Sequence, residues 1–117
     1  MASTIQIFGT KKCKDTQKAI RYFKERNVKT QFIDLNEKGL SKGELESILK
    51  NISLENLLDT EGKQFKKRNL AYITYNLEDE LLNDPLLLKT PITRFGRFAE
   101  LGINPTAWKK WIESSNN

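Results

Sequence analysis

The chain has 117 residues, of which 38% are hydrophobic and 30% are charged, and its net charge is +5. This length and composition predict one globular domain over residues 1–117 and argue against a disordered chain. No apolar run approaches the roughly 20 residues of a membrane span. The N-terminus lacks the pattern of a secretory signal. The basic residues are dispersed among many acidic ones, so we expect no direct binding to nucleic acid.

One cysteine and no histidine exclude several kinds of site. A single thiol forms no internal disulfide, which fits a reducing compartment, and we therefore expect a cytoplasmic protein. Without an imidazole, catalysis by a Ser-His-Asp triad or a Cys-His pair is excluded. The same composition argues against a structural zinc site, and we expect no metal.

The first 35 residues predict a βαβ unit with a parallel pair of strands. Residues 4–8 alternate and are rich in β-branched and aromatic types, which indicates a strand. Apolar residues then recur at helical spacing from Thr16 to Asn27. Residues 29–35 predict the second strand.

A block of helices is expected over residues 41–84, as an insertion into the α/β core. Residues that commonly cap helices mark the predicted helix starts at Ser41, Ser53 and Asn76. Residues 65–72 do not favour one structure, and the basic run 66–68 within them is expected to form a solvated surface.

The last part of the chain predicts a hairpin and a final helix. Pro91 has no N–H for a sheet, so it belongs at a strand start or a turn. Residues 95–97 can form the hairpin turn before a strand over 98–101. Asn104-Pro105 is a typical helix start. The packing face of this helix consists of Trp108, Trp111 and Ile112. The polar residues 114–117 are expected to fray.

The cysteine lies where a strand gives way to a helix. Cys13 is flanked by Lys11, Lys12 and Lys14. A helix N-terminus and nearby cations both favour the thiolate, which is the nucleophilic form of cysteine. The alternative is that Cys13 is a small buried hydrophobic residue without reactivity.

Four motifs, in this order and spacing, resemble the ArsC/Spx family of thioredoxin-like proteins. The motifs are Phe-Gly-x-x-x-Cys-x-x-Thr-x-Lys-Ala at 8–19, Phe-Ile-Asp-Leu at 32–35, Leu-Leu-Lys-Thr-Pro-Ile at 87–92, and Leu-Gly-x-x-Pro-x-x-Trp at 101–108. The resemblance covers residues 5–112. It implies a thioredoxin-like, glutaredoxin-type mixed β-sheet with an inserted helical subdomain, and a proline, usually cis, beside the thiol.

The family resemblance implies three functional types. Some members are arsenate reductases whose cysteine attacks arsenate and is released by glutathione and glutaredoxin. Others, of the Spx type, bind the C-terminal domain of the RNA polymerase α subunit and often sense oxidants through Cys-x-x-Cys. A YffB-like group has no settled activity. Here Thr16 stands where the second cysteine of the switch would be, so an internal disulfide switch is excluded.

The reductases hold the oxyanion with three arginines, whose planar donors suit tetrahedral oxyanions. The corresponding residues here are Asp59, Thr90 and Glu100. Two acids at these positions would repel arsenate. Three nearby cations could take over the role of the missing arginines: Lys89, Arg94 and Arg97.

Two interpretations remain open from the sequence. In the first, the protein is a reductase with no tightly bound cofactor, and glutathione or glutaredoxin releases the adduct on its single cysteine. Its expected residues are the nucleophile Cys13, the thiolate-stabilising Lys12, Lys14 and Thr16, and the substrate-binding Thr90, Pro91 and Arg94. In the second, the protein is an Spx-like regulator that binds RNA polymerase through an exposed surface.

Overall fold

The computed structural model describes residues 4–115, which form one four-stranded sheet and six α-helices. The strands are β1 (Ile5–Gly9), β2 (Thr30–Asp34), β3 (Ile92–Phe95) and β4 (Phe98–Leu101). The helices are α1 (Lys14–Glu25), α2 (Lys42–Leu49), α3 (Leu54–Leu57), α4 (Lys63–Lys67), α5 (Leu77–Asn83) and α6 (Pro105–Ser115). Short 3₁₀ turns span Leu70–Tyr72 and Pro85–Leu87.

The sheet is mixed, with the strand order β2-β1-β3-β4. β1 runs parallel to β2, with Ile7 opposite Phe32, which confirms the predicted βαβ unit. β3 runs antiparallel to β1, with Phe8 opposite Ile92. β3 and β4 form the predicted hairpin, and Gly96 in its turn has a φ of 59°. This is the thioredoxin-like α/β arrangement that the resemblance implied.

Each face of the sheet has its own hydrophobic core, because successive strand residues point to opposite faces. Ile5 and Ile7 of β1 pack with α1 and α6, whose contributions are Ala19, Phe23, Trp108 and Trp111. Phe8 points the other way and packs with Ile33, Ile92 and the helices inserted before β3. The inserted helices therefore share their core with the sheet.

The final helix follows its prediction closely. Asn104 Oδ1 accepts a hydrogen bond from Ala107 N at 3.2 Å at the start of α6. Trp108 is buried, and its indole Nε1 donates to Thr93 Oγ1 at 2.9 Å. α6 continues through Ser115, so the fraying expected from residue 114 was wrong for residues 114–115, and residues 116–117 lie outside the described part of the chain.

The first helix begins earlier and ends earlier than its pattern predicted. It starts at Lys14 because Cys13 is its N-cap, whereas apolar spacing had indicated a start at Thr16. It ends at Glu25, and Asn27 adopts a left-handed φ of 56°, which stops the helix. Asn27 is the stop that the sequence indicated, and Cys13 lies at the helix N-terminus as expected, so only the apolar spacing placed the ends of the helix two residues away from where capping sets them.

The inserted block contains one clear departure from expectation. α2 has the predicted capping box, with Ser41 and Glu44 bonded to each other's backbone N–H groups at 3.1 and 2.9 Å. Residues 65–72 lie in α4 and in the 3₁₀ turn that follows it. The expected solvated surface at 66–68 was wrong for Arg68, which forms ion pairs with Glu80 at 2.5 Å and Asp84 at 3.0 Å.

No helix among residues 4–115 is both long enough and apolar enough to cross a membrane.

Candidate active site

Cys13 is held at the N-terminus of α1 by the backbone of the helix itself. It is the N-cap residue, and its Sγ accepts a hydrogen bond from Thr16 N at 3.5 Å. The side chain of a capping residue normally satisfies one of the free N–H groups of the first turn. Here a sulfur takes that place, so the positive end of the helix dipole faces the sulfur directly.

The loop before β3 provides the second side of the site. Thr90 Oγ1 donates to Cys13 Sγ at 3.1 Å, and the Cys13 thiol lies 3.8 Å from the acceptor Thr90 O. The Thr90–Pro91 peptide bond is cis, and Pro91 is buried. The resemblance had implied that a proline lies beside the thiol, and the structure has this arrangement.

Gly9 at the end of β1 makes room for Thr16 in the first turn of α1. A Cβ at residue 9 would lie 2.3 Å from Thr16 Oγ1 and 2.6 Å from Thr16 Cγ2. Real Cβ atoms do not approach that closely, so only glycine allows the strand and helix to pack this way. Thr16 is fully buried as a result.

The pKa of the Cys13 thiol lies below its ordinary value of 9.0. Burial is the largest single influence and raises the pKa. Hydrogen bonds from the side chains of Thr16 and Thr90, and from the backbone N–H groups of Thr16 and Asp15, lower it by more in total. The structure therefore favours the thiolate, through donors aimed at the sulfur.

The Thr16 hydroxyl lowers the pKa of Cys13 as a donor to the thiolate, not to the neutral thiol. In the structure its Oγ1 is buried and, among the described residues, has no partner at full hydrogen-bond geometry. An unpartnered hydroxyl of this kind is costly to bury unless it is used. A hydroxyl can rotate, so Thr16 can donate to the sulfur when Cys13 loses its proton.

The two lysines predicted to stabilise the thiolate have side chains exposed to solvent. Lys12 and Lys14 flank Cys13 in the chain, and Lys12 also borders the cleft beside the site. Exposed charges interact weakly with their surroundings. The influences that set the pKa of Cys13 are burial and hydrogen bonds, so a thiolate-stabilising role for these lysines stays a prediction.

A cleft of about 330 Å³ lies next to the residues that surround Cys13. Cys13 itself does not line it, but Lys12, its neighbour in the chain, and Thr90, which donates to its sulfur, both do. Its polar lining also includes Asp59, Lys63 and Gln64, and its apolar lining includes Leu35, Pro85 and Leu88. Lys63 and Gln64 were not singled out from the sequence, because they lie 50 residues or so from Cys13 in a segment without a clear pattern. The only signal near them was the turn at Gly62.

Arg94 is not brought to the thiol. Ile92 lies opposite Phe8, at the end of β1 nearest Cys13, whereas Arg94 lies opposite Gln6, further from it. Arg94 Nη1 donates to Gln6 Oε1 at 2.8 Å. A substrate-binding role for Arg94 has no support from this geometry, because β3 carries its side chain away from the site.

The three positions that hold arginines in arsenate reductases lie in different surroundings. Thr90 bonds the sulfur and Asp59 lines the cleft. Glu100 borders a different cleft, formed with residues of α6 such as Lys110. Lys89, one of the cations that could replace the arginines, is exposed. Of the residues that line the cleft beside Cys13, none is an arginine.

The sheet and this single thiol together define a thioredoxin-like protein with one candidate nucleophile. The model of the ArsC family matches residues 8–111. The chain therefore belongs to the ArsC family.

Solved structures with the same fold include several ArsC relatives. An ArsC family related protein from Bacteroides fragilis has a TM-score of 0.78 and 21% identity, with 95% of this chain and 99% of that chain covered. A YFFB protein has a TM-score of 0.77 and 22% identity, covering 92% and 97%. An arsenate reductase from Vibrio cholerae has a TM-score of 0.74 and 19% identity, covering 97% and 98%. No curated protein matches the chain significantly.

Proposed function

We propose that the protein is a one-cysteine thiol–disulfide reductase in which Cys13 is the nucleophile. The observation that carries the proposal is the set of donors around Cys13 Sγ. The Thr90 hydroxyl and the Thr16 N–H both point at the sulfur, and the pKa of the thiol is lowered as a result. A thiolate at neutral pH is the form that attacks disulfides.

The reaction has two exchange steps. The Cys13 thiolate attacks one sulfur of a disulfide, a new bond to Cys13 forms, the original S–S bond breaks, and the leaving thiolate takes up a proton from water. The chain has no second cysteine, so an external thiol must attack the mixed disulfide. That thiol forms a disulfide with the bound group and returns Cys13 as a thiolate. A second equivalent of the external thiol then reduces the released disulfide, so the two equivalents together supply the two electrons.

We propose glutathione, or glutaredoxin carrying it, as the external thiol. The proposed reaction uses no tightly bound cofactor. Thr90 and the buried Pro91 form the wall beside Cys13 against which the incoming disulfide would lie. The proposal includes the cytoplasm as the compartment, because release of the adduct by a reduced external thiol needs reducing surroundings. Arsenate is a poor candidate substrate, because Asp59 in the cleft would repel it.

Two assays test the proposal. Wild-type protein is incubated with glutathione disulfide, and intact mass reports whether one glutathionyl group is added. Added glutathione should then restore the original mass. Cys13→Ser should remain unmodified throughout. If wild-type protein gains no adduct, or if glutathione fails to release the adduct, the proposal is wrong. Arsenate supplied with the same thiol should give no turnover.

The regulator of the Spx type remains as a second candidate because of one surface feature. Tyr72 and Ile73 are adjacent in the chain and are 86% and 54% exposed. Exposed aromatic and aliphatic neighbours are common in protein contacts. We propose a pull-down with RNA polymerase α subunit and the Tyr72→Ser/Ile73→Ser variant as its test. Equal recovery with the variant and wild type, or none with either, would reject this candidate.

A further inference from the structure

The cleft beside Cys13 contains charges of both signs that are not paired with each other. Asp59 lies in it with Lys12 and Lys63. Within residues 4–115, ion pairs join Lys18 to Asp15 and Arg68 to its two partners, and none involves these three side chains. Unpaired charges in a cleft next to a nucleophile are available to a ligand.

The carboxylate of Asp59 is held in place by the chain around it. Asp59 N donates to Leu87 O at 2.9 Å, and Asp59 O accepts from Gly62 N at 3.2 Å. Its Oδ1 accepts from Glu61 N at 3.2 Å. Oδ2 lies against Gly62, only 2.7 Å from where a Cβ would be. The carboxylate is therefore oriented before any ligand arrives, and Oδ2 keeps its capacity to accept hydrogen bonds.

The lysines provide the opposite charge on the same cleft. Lys63 is the first residue of α4, and Lys12 precedes Cys13. A tetrahedral oxyanion would meet both lysines but also the carboxylate, which repels it. A molecule with an ammonium group and a carboxylate can pair with both signs at once. The cleft therefore favours a zwitterion over a simple anion.

We propose that this cleft selects disulfides and thiols of the amino-acid type, whose ammonium group binds Asp59 and whose carboxylate binds Lys63. This inference rests on the proposed function, since it assigns the substrate class of the same thiol. Asp59 acts as a specificity residue because an ammonium group that lacks its carboxylate loses a charge-assisted hydrogen bond. Exposed charge pairs in such a cleft change a rate by about fivefold.

Three disulfides test the two charges independently. Cystamine carries only ammonium groups, N,N′-diacetylcystine carries only carboxylates, and cystine carries both. The rate of mixed-disulfide formation at Cys13 is measured by intact mass at fixed ionic strength. Asp59→Asn should slow cystamine and cystine about fivefold and should not slow diacetylcystine, which is freed from repulsion by the carboxylate. Lys63→Gln should slow diacetylcystine and cystine and should not slow cystamine, which is freed from repulsion by the ammonium group. Alkylation by uncharged iodoacetamide should be unchanged in both variants.

Matched charge changes elsewhere serve as controls. Glu46→Gln on α2 and Lys110→Gln on α6 alter exposed residues outside the cleft and should leave all three rates as in wild type. If Asp59→Asn affects the three disulfides equally, or none, the inference is overturned while the proposed function survives. If wild-type protein forms no mixed disulfide with any of them or with glutathione disulfide, the proposed function itself fails.

Discussion

The Thr90 hydroxyl donates a hydrogen bond to Cys13 Sγ at 3.1 Å, although the two residues are 77 positions apart in the chain. The thiol of α1 and the loop before β3 therefore form one unit. Because the hydroxyl stabilises the thiolate more than the thiol, the interaction changes the acidity of Cys13 as well as its position.

Thr90→Val should raise the pKa of Cys13 towards its ordinary value of 9.0, because valine keeps the shape of threonine without a donor. The rate of alkylation by iodoacetamide, measured against pH, gives this pKa. Thr90→Ser should keep it low, since serine retains the hydroxyl. Thr106→Val, at an exposed position on α6, is the control. A pKa that is unchanged in Thr90→Val would contradict the role given to this hydrogen bond.

The lowered pKa of Cys13 makes stability depend on pH. The folded protein releases the thiol proton at lower pH than the unfolded chain does, so the unfolded chain binds more protons in between. The contribution to the free energy of unfolding is full above about pH 9 and is lost as pH falls through the folded pKa. Urea unfolding should show that the free energy of unfolding of wild type rises with pH across this range, relative to that of Cys13→Ser. Parallel profiles would show that the two states have the same pKa.

Gly9→Ala should lower the free energy of unfolding by about 1–3 kcal/mol, because its Cβ would clash with Thr16. Urea unfolding measures the change. In Gly9→Ala/Thr16→Ala the clash is relieved, so the double variant should lose less than the sum of the single ones. Gly43→Ala is the matched control, since nothing lies within 4 Å of its Cβ. It should stabilise α2 by about 0.5–1 kcal/mol. Additive losses would contradict the contact.

Thr93→Val should cost about 1–3 kcal/mol of stability, because the buried Trp108 indole N–H would lose its acceptor. Thr93→Ser keeps the oxygen and loses only a methyl group, so it should cost about 1 kcal/mol. Thermal unfolding followed by tryptophan fluorescence measures both. A valine variant as stable as wild type would contradict the role given to this hydrogen bond.

The sequence predicted the strands and the last helix well because local chemistry determines them. The alternating residues of β1 and the Asn104-Pro105 start of α6 depend on neighbours in the chain alone. The apolar spacing placed the start of α1 two residues late, at Thr16, although the sequence indicated Cys13 at the helix N-terminus, because the cap is a sulfur and not one of the usual capping oxygens. Within residues 65–72, Arg68 forms ion pairs with Glu80 and Asp84, and such distant contacts leave no local pattern in the sequence.

The site was predictable only in part for the same reason. Cys13, Thr16 and Thr90 were singled out from the sequence, through the helix start and the resemblance. The roles of flanking lysines were inferred from sequence proximity, whereas the donors that lower the pKa point at the sulfur from a helix turn and a distant loop. Lys63 was missed, because only the folded chain brings α4 to the same cleft as Lys12.

The long separation of Cys13 from Thr90 has a consequence for the newly made chain. While synthesis has passed residue 13 but has not reached the loop before β3, the sulfur lacks one of the donors that acidify it. The thiol is then closer to ordinary cysteine and mostly protonated at neutral pH. The hydrogen bond from Thr90 that acidifies the thiol therefore forms only after the C-terminal third of the chain has been made.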